Sequence, residues 1–205
     1  MLLAIDTSQG TSVSVVDRDA GVIAVHTANG TRHHAEVVGT LIRAVLDESG
    51  VPVSALSGVV AGVGPGPFTG LRVGVAAARG FALGSGKPLV SVISHDAIAY
   101  AHYRDGGVGP LQVVTDARRR EFYVSDFSGA DQQGLPIRLA EPRIVAAVEL
   151  PEAPAPRRST AAVDAGALGM LAELMQLHGR PFAPGQALYL RSPDAVPGRG
   201  KRVTG

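Results

Sequence analysis

The sequence predicts an α/β protein built from two units that follow one another along the chain. Short apolar strands alternate with amphipathic helices through the first half, and residues 105–110, DGGVGP, then separate it from a second run of strands. Hydrophobic residues make up 45% of the 205 residues and aromatic residues 4%, with no tryptophan. We therefore expect an aliphatic core, large enough for one big domain or two small ones.

The first half of the chain predicts the element order β-β-β-α-β-α-β. Residues 2–5 form a short apolar strand, and residues 11–16, TSVSVV, alternate valine with serine or threonine as a half-buried strand does. The turn DRDAG leads into the strand VIAVHTA, so these strands make an antiparallel meander. Apolar residues then recur at helical spacing over 35–49, and Gly50 stands where such a helix ends. The strand LSGVVAGVG, a helix over 70–83, the strand PLVSVIS and a helix over 95–103 complete this unit.

The second half predicts a shorter set of elements. Strands cover LQVVTDA, REFYVSDF and PIRLAEP, with the turn GADQQG before the last of them. The stretch STAAVDAG is predicted as a strand and ALGMLAELMQLHG as an amphipathic helix. We therefore expect an N-terminal lobe over 1–103 and a smaller C-terminal lobe over 104–205, whose basic tail either packs back or stays disordered.

Composition and charge exclude several classes of protein. The chain has no cysteine, which excludes disulfides, thiolate nucleophiles and cysteine metal ligands. Its apolar runs fall short of the ~18 residues of a transmembrane helix and its start lacks a signal-peptide pattern, so we expect a cytoplasmic protein without membrane contact. The formal net charge of +1 is no overall nucleic-acid signature. The basic clusters are expected to be solvated surface, with RNA contact as the alternative; they are Arg118–Arg120, Arg157–Arg158 and Arg199–Arg202.

Histidine spacing does not predict a metal site. His33 and His34 are adjacent and project in different directions, and His95 and His102 are farther apart than the i, i+4 spacing of two ligands on one helix. The sequence also lacks HExxH and GxSxG motifs. We expect surface or capping histidines, no metal and no catalytic serine.

Residues 62–84, GVGPGPFTGLRVGVAAARGFALG, combine a glycine-rich turn with a helix. The turn is not a Walker loop, because it leads to GLR and because Pro65 and Pro67 lack N–H donors. Thr69 is placed to cap the helix, and Gly70, Gly74 and Ala78 then share one face at i, i+4 and i+8. A glycine within a helix costs about 1 kcal/mol relative to alanine. This face therefore indicates close approach by another element, either of the same chain or of another protein.

The hairpin AIDTSQGTSVSVVD has the shape of the first phosphate hairpin in the actin, hexokinase and Hsp70 superfamily. Asp6 ends a strand, and Thr7, Ser8 and Gly10 follow in a turn of hydroxyls and glycine. In active members the turn amides hold phosphates, and the acid positions a metal ion or water. The alternative is a structural turn in which Asp6 accepts hydrogen bonds from nearby amides.

Several separate stretches resemble the TsaB family, also called YeaZ. They are MLLAIDTSQGTSVSVVD, RHHAEVV, VAGVGPGPFTGLRVGVAAARGFA, SHDAIA, TDARRREFYVSDF and YLRSPDA, and GPGPFTGLRVG is the most specific among them. The resemblance is good over 1–127 and 189–195 and poor over 142–186. It implies a two-lobed actin-like ATPase (ASKHA, Hsp70-like) fold of mixed sheets and helices, with a reduced second lobe.

The resemblance also implies a function. TsaB-like proteins are non-catalytic scaffold subunits of the complex that makes N6-threonylcarbamoyladenosine at adenosine 37 of tRNAs reading ANN codons. The related TsaD performs the transfer with a metal held by an HxxxH motif, whereas residues 33–38 here read HHAEVV and lack the second histidine. The implied partners are TsaD in a heterodimer, the ATPase TsaE, and a second copy of the chain when it is alone. Contact with tRNA is expected to be indirect or weak. No cofactor of its own is expected, and ATP or ADP at the complex interface is left open.

The implied partner-binding surface lies on the two helices of the first lobe. Some of its residues must also face their own sheet, and the sequence does not divide them. The predicted residues are Val38, Leu41, Ile42, Val45, Gly70, Gly74, Ala78 and Phe81. We expect Gly74→Leu to block pairing and to leave the fold intact. The predicted vestigial nucleotide loop is Asp6, Thr7, Ser8 and Gly10.

The main alternative is an active ATPase or kinase of the actin-like superfamily, which rests on Asp6 and its hairpin. Such an enzyme needs a second, glycine-containing phosphate loop, and TDARRRE occupies that place. A peptidase is a further alternative, although the sequence lacks the pair of metal-ligating histidines and the nucleophile motif that a peptidase needs.

Overall fold

A computed structural model describes residues 1–30, 33–150 and 156–191. Within these residues the chain forms two five-stranded sheets and four α-helices. The strands are β1 Leu2–Asp6, β2 Thr11–Asp17, β3 Gly21–Ala28, β4 Gly58–Gly62, β5 Leu89–Val92, β6 Leu111–Asp116, β7 Glu121–Ala130, β8 Pro136–Arg138, β9 Arg143–Ala146 and β10 Arg157–Arg158. The helices are α1 His34–Ser49, α2 Phe68–Ser85, α3 Ser94–Arg104 and α4 Ala165–Leu177, with short 3-10 turns at Val53–Ala55 and Ala147–Glu149.

The first sheet has the strand order β3-β2-β1-β4-β5. Its first three strands form the predicted antiparallel meander, and β4 and β5 add in parallel beyond β1. The predicted order of strands and helices in this half is confirmed. Gly50 follows α1 with a left-handed φ of 63°, which is the helix end that the sequence indicates.

The central strand β1 is buried throughout because both of its faces are covered by helices. Leu3 and Ile5 pack with α1 and α2, whereas Leu2 and Ala4 pack on the other face with α3 and α4. Helix α4 therefore belongs to the packing of the first sheet, although it lies in the second half of the chain. Gly169 of α4 sits so close to the sheet that a side chain there would come within 2.7 Å of Val16.

The second sheet has the order β10-β6-β7-β8, and β9 also pairs with β7. Helices α3 and α4 lie between the two sheets, since one cluster of buried side chains joins Val60 of β4, Leu168 of α4 and Phe127 of β7. The boundary predicted between residues 103 and 104 falls at the end of α3. The two halves of the chain thus share a continuous apolar core.

Two local predictions are wrong, and strands β9 and β10 were not predicted. Residues 159–166 do not form a strand, because Asp164 accepts a hydrogen bond from Gly166 N and begins α4. Helix α2 begins at Phe68 after Pro67, not behind a Thr69 cap. Among the described residues, no helix is both long and apolar enough to cross a bilayer.

Candidate functional site

The turn between β1 and β2 holds the predicted vestigial nucleotide loop. Asp6, Thr7, Ser8 and Gly10 are all buried. One Asp6 carboxylate oxygen accepts hydrogen bonds from Ser8 N at 2.7 Å and Ser8 Oγ at 2.6 Å, and the other accepts one from Ser94 Oγ at 2.5 Å. Burial raises the pKa of Asp6, and the hydrogen bonds from Ser8 and Ser94 lower it in part. The acid is therefore engaged by donors of its own chain.

The glycine-rich loop after β4 packs directly on this turn. A side chain at Gly62 would overlap the Asp6 carboxylate, and one at Gly66 would come within 2.5 Å of the Ser8 carbonyl oxygen. Thr7 Oγ1 donates to the carbonyl oxygen of Gly70 at 2.6 Å. Close backbone approach to the turn explains why these positions are glycine.

The β6–β7 hairpin reaches the same turn from the second sheet. Gln9 Nε2 donates to the Asp116 carbonyl oxygen at 3.4 Å. At the tip of the hairpin, residues 118–120 are exposed arginines with left-handed φ values of 64°, 55° and 61°, a conformation in which glycine costs least. These are the two hairpins that the sequence analysis compares with the phosphate loops of actin-like ATPases, and here they touch each other through Gln9. Arg157 and Arg158 are exposed as well, whereas Arg199–Arg202 lie outside the described residues.

Two histidines expected at the surface are buried. His34 Nδ1 lies 2.8 Å from Thr11 Oγ1. His95 is fully buried between Thr115 Oγ1 and Ser125 Oγ, each 2.8 Å from a ring nitrogen, and burial lowers its pKa to about 3. The two hydroxyl groups offset the cost of burying the His95 ring, because each ring nitrogen has a hydrogen-bond partner. Among the residues that the structure describes, no group of three or more His, Cys, Asp or Glu side chains is placed to hold a metal ion.

The helices α1 and α2 carry the predicted partner-binding residues, but five of the eight are buried within the chain itself. These are Val38, Val45, Gly70, Gly74 and Ala78. A side chain at Gly74 would overlap Thr7, and one at Gly70 would come within 2.5 Å of the Thr7 carbonyl oxygen. The small-residue face therefore packs on the β1–β2 turn, the same-chain alternative that the sequence left open. This corrects the prediction for these five residues, and with it the expectation that Gly74→Leu leaves the fold intact.

The remaining predicted residues, Leu41, Ile42 and Phe81, are partly exposed. Ile42 and Phe81 line a groove of about 640 Å³, which is formed mainly by α1 and residues 50–53 after it, with Phe81 contributed by α2. Their contact with a partner stays a prediction.

A second row of small residues on α2 faces solvent, and sequence reasoning missed it. Ala76, Gly80 and Gly84 follow one another at i, i+4 and i+8, beside Leu83, which is 87% exposed. A side chain at Gly80 or Gly84 would meet nothing within 4 Å, and the same holds for Gly39 on α1. The spacing equals that of the buried row, so this signal was present in the sequence. No contact within the described chain explains these glycines.

The C-terminal segment returns to the start of α2. The Arg72 guanidinium lies 3.7 Å from the centre of the Phe68 ring, and Arg72 Nε donates to the Tyr189 hydroxyl at 3.3 Å. The rings of Phe68 and Tyr189 are 4.8 Å apart. Two stretches of the family resemblance that are far apart in sequence thus meet in space; the rest of the second one, residues 192–195, lies outside the described residues.

Comparison with known proteins agrees with this architecture. A profile of the family described as TsaD, tRNA N6-adenosine threonylcarbamoyltransferase, matches residues 18–154. An uncharacterised protein of Mycobacterium tuberculosis is 34% identical over 96% of this chain and 94% of its own length. The Escherichia coli protein described as tRNA threonylcarbamoyladenosine biosynthesis protein TsaB is 30% identical over 65% of this chain and 57% of its own length. The solved structure of YeaZ from Pseudomonas aeruginosa superposes with a TM-score of 0.79 at 26% identity, over 92% of this chain and 99% of the other. The predicted actin-like α/β fold is thereby confirmed.

Proposed function

The chain belongs to the TsaB/YeaZ family, within the wider family that carries the TsaD description, and from this premise we propose that it is a non-catalytic scaffold subunit. Membership supports a part in threonylcarbamoyladenosine modification of tRNA. In the proposal, the chain docks on TsaD through the exposed faces of α1 and α2, and TsaE joins the assembly that results. When the partner is absent, the same surface pairs with a second copy of the chain.

The observation that carries the proposal is the exposed row of small residues on α2. Each exposed glycine within a helix costs about 1 kcal/mol relative to alanine, and a side chain at Gly80 or Gly84 would meet open space. The isolated chain therefore gains nothing from these glycines. Close approach of a partner helix supplies the reason, since small residues let two helix axes come near each other. Leu83 at the edge of this row and the groove lined by Ile42 and Phe81 add apolar surface to bury.

The state of the β1–β2 turn supports the non-catalytic part of the proposal. The Asp6 carboxylate already accepts three hydrogen bonds from Ser8 and Ser94. Gly66 and Gly70 place the loop and helix α2 on the turn backbone. A phosphate bound there would have to displace these contacts. Contact of the two hairpins through Gln9 would have to break as well.

The test compares two exposed leucines in the last turns of two helices. Leu83 lies on the proposed face, and Leu177 ends α4 elsewhere on the surface with 53% exposure. Burying a leucine side chain stabilises a complex by about 1.5–3 kcal/mol. We expect Leu83→Asp to weaken binding to TsaD about tenfold or more in calorimetric titrations, whereas Leu177→Asp leaves it unchanged. Both variants should keep the melting temperature of the parent chain to within a few degrees.

An unchanged affinity for folded Leu83→Asp would contradict docking on this face. Titration of the isolated chain with magnesium-ATP addresses the ATPase or kinase alternative, and saturable binding with turnover would favour it. We propose that any nucleotide belongs to the assembled complex, so ADP should give a binding heat with the complex and none with this chain alone.

A further inference from the structure

A cavity of about 530 Å³ lies at the carboxyl ends of two parallel strands, away from the α1–α2 face. Val63 directly follows β4, and Val92 ends β5. These two residues and Ile93 form part of the apolar lining, with Met175 of α4 on another wall. Ligand sites in α/β proteins favour this edge of a sheet, and their cavities are commonly of this size.

Residues 181–188, here called the roof segment, cover the cavity and are tied down at three points. Ala183 N donates to the Ser91 carbonyl oxygen at 2.9 Å, and Leu188 N donates to that of Val63 at 2.8 Å. Between these two ties, the Arg79 guanidinium of α2 donates to the Gly185 carbonyl oxygen. The segment that covers one side of the cavity is therefore held by defined hydrogen bonds.

The cavity has a single charged end. Arg138 Nη1 donates to both carboxylate oxygens of Asp96, at 2.7 and 2.8 Å, and Glu141 lies 3.5 Å from the other guanidinium nitrogen. The side chains of Asp96 and Arg138 are only 25% and 18% exposed. Two carboxylates and one guanidinium carry a net charge of −1 when both acids are ionised, and the side chain of Glu141, which is 80% exposed, places part of this charge at the solvent side of the cavity. Every other lining residue is uncharged.

We propose that this cavity binds a small amphipathic cation, an apolar molecule that carries one protonated amine. The amine would lie against Asp96 and Glu141 and neutralise the excess negative charge, and its apolar part would fill the space under the roof segment. An anion is disfavoured because the donors of Arg138 already face two carboxylates. A neutral molecule would fill the space and leave the charge unbalanced.

Three probes of equal shape test the ligand class: phenylbutylamine, phenylbutanol and phenylbutyrate, titrated into the full chain by calorimetry. We expect saturable binding of the amine and no binding of the acid. The alcohol should bind about tenfold more weakly than the amine, because a neutral hydrogen bond stabilises a complex less than a charge-assisted one. Ala187→Trp, which fills the cavity, should abolish binding of all probes. Equal binding of acid and amine, or no saturable binding of any probe, would overturn the proposal.

A pair of carboxylate variants locates the amine. Asp96→Asn should reduce amine binding to the level of the alcohol. The matched control Asp126→Asn removes the carboxylate of another arginine pair, with Arg143 at 2.7 Å, and should leave amine binding unchanged. Persistent selectivity for the amine in folded Asp96→Asn would refute the assignment.

The pH dependence of binding gives a second readout. Burial raises the pKa of Asp96 to about 6, although Arg138 beside it acts in the opposite direction. The charged groups that face Asp96 are Arg138 from β8 and Glu141 from the connection after it, while α4 and the roof segment contribute uncharged side chains to the lining. Amine binding should therefore weaken from about pH 7.5 to about pH 5 as Asp96 gains a proton. Binding of the alcohol should not weaken, and parallel loss of both probes would contradict the role of Asp96.

Discussion

His95 is expected to make the stability of this protein sensitive to acid. It joins α3 to the second sheet, because its two ring nitrogens lie 2.8 Å from Thr115 Oγ1 on β6 and Ser125 Oγ on β7. One nitrogen donates and the other accepts, so the neutral ring satisfies both hydroxyl contacts. Protonation would remove the acceptor and place a charge in a fully buried site. Burial, with a smaller contribution from the charge of Arg138, accordingly lowers the pKa of His95 to about 3.

The sign and size of the effect follow from this lowered pKa. Histidine in an unfolded chain has a pKa of about 6.5. Above about pH 6.5 His95 is neutral in both the folded and the unfolded chain, so the folded state keeps its full stability. As the pH falls toward 3, the histidine of the unfolded chain binds a proton while buried His95 stays neutral, and the free energy of unfolding decreases. From about pH 7.5 to about pH 5 this loss amounts to about 2 kcal/mol. The raised pKa of Asp96 acts with the opposite sign below about 6, but a comparison that keeps Asp96 cancels its effect.

The measurement is urea denaturation of the parent chain and of His95→Gln at both pH values. At the higher pH the variant should be less stable by about 2–4 kcal/mol, because buried Thr115 and Ser125 each lose a partner. At the lower pH the difference in unfolding free energy should narrow by about 2 kcal/mol. His178→Gln, a change at an exposed position, should stay close to the parent chain under both conditions. A difference between His95→Gln and the parent that does not change with pH would refute the reasoning.

Two further predictions concern α2. Gly74→Ala should destabilise the chain by about 1–3 kcal/mol in urea denaturation, because the new methyl group overlaps Thr7. Gly80→Ala, whose methyl group would lie in open space, should stabilise the chain by up to about 1 kcal/mol. Equal effects of the two substitutions would show that the two rows are not packed differently. Arg72→Ala should speed amide exchange around Tyr189. It removes the hydrogen bond from Arg72 to the Tyr189 hydroxyl and the cation–π contact of Arg72 with Phe68, which is worth about 0.5–1 kcal/mol. Arg43→Ala, at an exposed position of α1, is its control, and matching exchange rates in the two variants would contradict this role.

Sequence reasoning predicted those elements whose pattern is carried by burial. Strand β1 is covered on both faces and reads as a continuous apolar run, while α1 shows its buried Val38 and Val45 at helical spacing. The pattern fails where strands are very short, as in two-residue β10. It also does not reveal that α4 packs on a sheet from the other half of the chain, because apolar periodicity names a buried face and not its partner.

The site was predicted only in part for a similar reason, because the sequence does not show which distant residues come into contact. Buried His95 could not be recognised, because its partners Thr115 and Ser125 are distant in sequence and hydroxyl residues are common at surfaces. The hairpin at Asp6 was correctly located as a turn of hydroxyl residues and glycine between two strands, but its burial was not predicted. The hydrogen bond that Asp6 accepts from Ser94 could not be predicted without the fold, because Ser94 lies at the start of α3.

The two rows of small residues on α2 have different physical consequences. The buried row lets the helix lie on the β1–β2 turn, where Gly70 accepts a hydrogen bond from Thr7 Oγ1, and this contact fixes the position of the helix against the sheet. The outward row consists of Ala76, Gly80 and Gly84. Alanine and glycine have no side-chain rotamer entropy to lose when a partner covers them. A helix that is held rigidly from behind and presents such a face avoids much of the ordering cost of association. In the proposed complex, the contacts that occupy the turn and those that favour docking would therefore both depend on the small residues of one helix.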